Sequence, residues 1–138
     1  MLYVKAFLAG FLATLTFHQA VMAVLHAAGG PMKPYNMAPV KPLGIPSVVS
    51  LAVWGGLWGI VLYLALLRFA PSSPWLFALV FGAIAPSLVA LLLVFPLKGQ
   101  PIAAGGNPKI ILGALLVNGA WGIGVLVFMK LFAKLGWF

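Results

Sequence analysis

Read as apolar and polar positions, the chain is four long apolar runs separated by breaks rich in glycine and proline. Residues 6–28 are apolar apart from Thr14, Thr16, His18, Gln19 and His26. Those 23 residues make a helix of about 34 Å at ~1.5 Å per residue, enough to cross a hydrocarbon core of about 30 Å. Residues 48–67, 75–97 and 110–129 repeat the pattern, with no charge inside any run. Runs of this length predict transmembrane helices. A signal peptide has a shorter apolar part, about 7–15 residues. The first run is longer and holds a histidine near its middle, so it reads as a retained span.

The breaks carry their own signals. Residues 29–47 contain Pro31, Pro34, Pro39, Pro42 and Pro46. Proline removes a donor and fixes φ, so neither helix nor central strand is expected there. Extended, polyproline-like backbone on the membrane surface is expected instead, with Lys33, Tyr35 and Lys41 at headgroup level. Pro71 and Pro74 bracket a tight turn, and residues 98–109 form a second Gly/Pro loop. Pro86 falls inside the third run and predicts a kink. Lys130 and Lys134 can snorkel, and Trp137-Phe138 reads as an interfacial anchor.

The runs also resemble one another. Trp58-Gly59-Ile60 returns as Trp121-Gly122-Ile123, an offset of 63 residues, and each of these runs closes on a base, Arg68 or Lys130. Gly10 matches Gly82, Thr14 matches Pro86 and His26 matches Lys98, an offset of 72. The first loop absorbs the difference. The pattern predicts an all-α integral membrane protein, a single domain over residues 1–138, built as two similar helical hairpins. Two spans per unit make the halves enter from the same side, related by an axis along the membrane normal.

Small residues mark where helices approach closely. Gly55 and Gly59 form a GxxxG step. Gly113, Gly119, Gly122 and Gly124 thin the fourth run, and Ala6, Gly10 and Thr14 form a ladder on the first. Such residues let backbones meet where lipid provides no hydrophobic drive between helices. Trp58 and Trp121 fall near mid-depth, away from the interfacial belts, and are expected to pack between helices. Gly55, Gly59, Trp58, Gly119, Trp121 and Gly122 are thus the predicted packing residues.

Composition agrees and narrows the chemistry. The chain is 64% hydrophobic and 6% charged, against about a quarter charged for soluble domains. It has 8 Lys and Arg and no Asp or Glu. No carboxylate is available for a glycosidase pair, a hard-cation cage or a carboxylate proton relay. With no cysteine there is no disulfide, thiolate nucleophile or iron–sulfur ligand. The net charge of +8 is spread over the ends of the runs, which suits anionic lipid headgroups and not nucleic acid. Lys5, Arg68, Lys130 and Lys134 lie on the side of the termini; Lys33, Lys41, Lys98 and Lys109 lie on the other. Four against four is a tie under the positive-inside rule, so charge assigns no orientation.

Polar groups within the runs are the candidate chemistry. His18 and Asn118 fall about 15 and 12 Å from the long-loop side at ~1.5 Å per residue. Both break the repeat, aligning with Ala90 and Gly55. Thr14 lies four residues before His18. A Thr14, His18 and Asn118 cluster could hold a small solute or pass a proton through imidazole. The plain alternative is an interhelical hydrogen bond that sets register, worth about 0.6 kcal/mol. His18 and His26 lie on one helix, about 12 Å apart along its axis, so they cannot clamp one haem iron. A single axial histidine would be needed for a haem-bearing anchor. Copper could draw on Met22, His26, Met32 and Met37 only at loose spacing.

The run Phe95-Pro-Leu-Lys-Gly99 ahead of the Gly-rich fourth helix is similar to small bacterial inner-membrane proteins of several spans. That resemblance implies a multi-pass location in the cytoplasmic membrane and no activity. The expectation is a non-enzymatic accessory or structural subunit, working by helix packing with other membrane subunits or with itself as a homo-oligomer. It carries no metal and no cofactor. A homo-oligomeric channel or transporter for a neutral or anionic solute is the alternative, and a haem-bearing anchor the third.

Overall fold

Proline and the residue before it set two of the helix starts. Ser73 Oγ accepts the Leu76 N–H at 3.4 Å with Pro74 following it, and Asn107 Oδ1 accepts the Lys109 N–H at 3.0 Å with Pro108 following. An N-cap oxygen meets a backbone donor that has no intrahelical partner, and proline at the first helical position loses nothing by lacking an N–H. The computed structural model describes residues 1–136. It is all-helical, with four helices long and apolar enough to cross a membrane. These are α1 (Leu2–Ala27), α2 (Ser47–Phe69), α3 (Pro74–Leu97) and α4 (Pro108–Lys134). Each apolar run forms one helix, and α1 and α4 overrun the predicted edges towards the termini. Trp137 and Phe138 lie outside the described residues.

Glycine sets the contact within each hairpin. A Cβ placed on Gly59 would lie 3.1 Å from Gly10 Cα and closer still to the Ala6 carbonyl oxygen. One placed on Gly10 would collide with the Gly55 carbonyl. Between α3 and α4, a Cβ on Gly82 would lie 3.1 Å from Gly122 Cα and close on the Asn118 carbonyl, and one on Gly122 would collide with the Ala78 carbonyl. Only glycine allows backbones this near.

The two hairpins meet along α1 and α4. Gly124 lies under the Phe17 ring and beside Ala13, and Phe17 meets Phe128 edge to face at 6.2 Å. The core along this seam is Ala9, Ala13, Trp121, Val125 and Leu126. The α2–α3 seam is looser and aromatic: Trp58 half-buried against Phe81 at 6.2 Å, and Phe81 stacked on Phe77. The outward faces stay apolar, with Trp54, Leu57, Val61 and Leu64 exposed on α2 and Leu76, Val80, Ile84 and Leu88 on α3.

The first loop is less extended than its prolines suggest. Pro39–Val40 pairs antiparallel with Ile45–Pro46 as a two-residue ribbon. Ahead of it, Tyr35 takes a left-handed φ of +51° and turns back onto α1, its hydroxyl donating to the Leu15 carbonyl at 2.7 Å. The ribbon and this descent fold the loop against the helices.

Candidate functional site

The site begins with a change in helix pitch. Between Thr14 and His18 α1 widens into a π-turn. The Thr14 hydroxyl donates to the Gly10 carbonyl at 2.9 Å, and the Trp121 indole N–H donates to the same oxygen at 3.1 Å. Side-chain donors that compete for a ladder carbonyl loosen the ladder at that turn. The extra residue in the turn rotates the rest of the helix, so neighbours His18 and Gln19 both face inwards, 6% and 1% exposed. A second π-turn, Ala90–Val94, sits in α3 just before Pro96. Proline there has no N–H to give and would crowd the carbonyl four residues back, which the wider turn relieves.

From Gln19 a line of polar groups crosses the bundle. The Tyr35 N–H donates to Gln19 Oε1 at 2.6 Å. That fixes the amide, because a backbone N–H can meet only the oxygen. Gln19 Nε2 therefore donates to His18 Nδ1, 3.2 Å away, and the imidazole proton sits on Nε2. The Asn118 side chain is the next polar group along, beside the His18 ring. Asn118 Nδ2 donates to Ser87 Oγ at 2.9 Å, and Ser87 donates to the Ala114 carbonyl at 3.2 Å. The loop, α1, α4 and α3 each contribute. Among the described residues every buried side-chain nitrogen and oxygen has a partner.

The structure thus brings His18 and Asn118 together. Thr14 is not a link: its hydroxyl is spent on Gly10, and it faces Gly55. Gly119 packs beneath Leu79, and Trp121 is buried at 2% exposure. Gln19, Ser87 and Tyr35 also belong to the line, and the sequence-based candidate cluster omits them. The available signal is that Gln19 and Ser87 are polar residues inside apolar runs. His26, at the far end of α1, sets its Nδ1 3.0 Å from the Gly30 carbonyl. No group of three or more His, Cys, Asp or Glu that could hold a metal occurs among the described residues.

The line ends at a half-open cleft of about 290 Å³ between the second half of α1, the first loop and the start of α2. Gln19 and Met22 line it from α1, Lys33 and Asn36 from the loop, Ser47 and Leu51 from α2.

The chain matches no protein-family model, no curated protein and no solved structure.

Proposed function

We propose that this is a multi-pass protein of a bacterial cytoplasmic membrane, built from two similar hairpins, that acts without catalysis as an accessory or structural subunit of a larger membrane assembly. The observation that carries the reading is where the buried polar groups are directed. Tyr35 bonds Gln19, Gln19 bonds His18, and Asn118, beside His18, bonds Ser87, as groups do when they hold helices in register in a medium without water. The outward apolar faces of α2 and α3 supply the surface for neighbouring helices, and Trp54 is 61% exposed on the first of them.

Equivalent contacts support the repeat. Gly10 meets Gly55 and Gly59 as Gly82 meets Asn118 and Gly122, positions offset by the same 72 and 63 residues in the chain. The halves then diverge: Trp121 binds the Gly10 carbonyl, while its counterpart Trp58 packs on Phe81.

Extraction from the native membrane in mild detergent tests the reading, with mass from light scattering and identification of what co-purifies. Larger membrane proteins at fixed stoichiometry are expected. Gly59→Leu and Gly122→Leu should lose them, and His18→Ala should keep them. A homo-oligomer alone would favour the second reading, a small channel or transporter. One observation supports it: the polar line and the cleft at its end reach from the loop to the bundle centre. In that case His18→Ala and Asn118→Ala would abolish solute flux in liposomes.

A further inference from the structure

The cleft where the polar line ends has a one-sided chemistry. Its polar side chains have donors to spare. Asn36 Oδ1 already accepts the Ala38 N–H at 2.9 Å, leaving its Nδ2. Gln19 Oε1 is taken by Tyr35, and only one Nε2 hydrogen is needed for His18. Lys33 brings a cation and Ser47 a hydroxyl. The first backbone donors of α2 are occupied, Ser47 N–H by the Ala38 carbonyl and Val48 N–H by the Asn36 carbonyl, each at 2.8 Å. The chain has no Asp or Glu to compete for the lysine. The rest of the lining is apolar, with Met22, Val48 and Leu51 leading onto the exposed flank of the helices.

We propose that this cleft binds the phosphate of an anionic glycerophospholipid. Lys33, Asn36 and Ser47 hold the headgroup, and an acyl chain leaves past Met22 and Leu51. The proposal rests on the membrane reading above. Phosphate needs the donors; the apolar wall needs the chain, which inorganic phosphate lacks. A choline headgroup would bring its ammonium to Lys33 with no carboxylate nearby to receive it.

The test places the full chain in nanodiscs of equal parts phosphatidylglycerol and phosphatidylcholine with matched acyl chains. The protein is then moved to mild detergent and its retained lipids counted by native mass spectrometry. The wild type should keep phosphatidylglycerol over phosphatidylcholine at least about fivefold, the size of one lysine's attraction to an anionic headgroup. Lys33→Gln should approach parity and Ser47→Ala should fall part of the way. Lys41→Gln, with the same charge change on the same loop outside the cleft lining, should behave as wild type. Equal retention of both lipids by the wild type, or equal loss in Lys33→Gln and Lys41→Gln, would overturn the site. Displacement of the lipid by inorganic phosphate at matched concentration would overturn the lipid assignment in favour of a free anion. A chain that fails to enter the nanodisc would refute the membrane reading; one that enters and keeps both lipids equally refutes the cleft alone.

Discussion

The indole N–H of Trp121 donates to the carbonyl oxygen of Gly10 across 3.1 Å, tying α4 to α1 between residues 111 apart in the chain. The same oxygen takes the Thr14 hydroxyl. One carbonyl therefore couples the seam between the hairpins to the wide turn that faces His18 and Gln19 inwards.

Trp121→Phe keeps most of the ring and removes the donor. It should cost about 0.5–1.5 kcal/mol, the range of single interhelical hydrogen bonds. Trp121→Ala also leaves a cavity and should cost about 3–5 kcal/mol. Unfolding by added dodecyl sulfate, followed by circular dichroism, measures both. Equal costs would show that the hydrogen bond contributes everything and the ring nothing; a Trp121→Phe cost near zero would show the reverse.

Gly59→Leu and Gly122→Leu should each destabilise by about 1–3 kcal/mol or more, because the new side chain meets backbone, which cannot swing aside. Gly113→Leu should be tolerated, since a Cβ there finds only Leu25 Cδ1 at 3.8 Å. The fraction of monodisperse protein by size exclusion separates the cases.

Ser87→Ala and Asn118→Ala should be coupled. Their 2.9 Å bond predicts an interaction energy near 0.6 kcal/mol, with ~1.7 as an upper bound. A double-mutant cycle reads it. Strictly additive costs would place the two side chains outside a working network.

Tyr35→Phe removes the donor to the Leu15 carbonyl and leaves the backbone bond to Gln19. The loop should open more often, by a free energy of about 1 kcal/mol. Limited proteolysis of residues 29–47 should then quicken severalfold, with global unfolding nearly unchanged. An unaltered rate would mean that the Tyr35 N–H holds the loop unaided.

The helices are legible in sequence because about twenty apolar residues without charge admit few other structures. Spacing alone singles out Gly59 and Gly122, and they lie where backbones come nearest. The polar line is legible only in part. On a regular helix residues 18 and 19 point about 100° apart, so an inward His18 does not imply an inward Gln19. The π-turn that brings both inside begins beside a Gly10 carbonyl shared by the local Thr14 hydroxyl and the distant Trp121 indole, and the local pattern alone does not announce it. The loop's prolines argue against regular structure, and neither the left-handed Tyr35 nor the cleft beneath it follows from that argument. The cleft is assembled from three segments whose proximity is a property of the fold.

The tie between Gly10 and Trp121 also orders events in time. The ribosome delivers the first helix long before the fourth. At about 5–20 residues per second, the 111 residues between them represent a delay of about 5–20 s. Gln19 can find Tyr35 almost at once, but His18 and the Gly10 carbonyl must wait for Asn118 and Trp121. Under the membrane reading proposed above, the nascent first helix faces lipid for that interval with His18 lacking Asn118 and Gly10 lacking Trp121. On that reading the first helix is held meanwhile only by its own bonds, Thr14 on the Gly10 carbonyl and Gln19 on the His18 ring, until the last helix arrives.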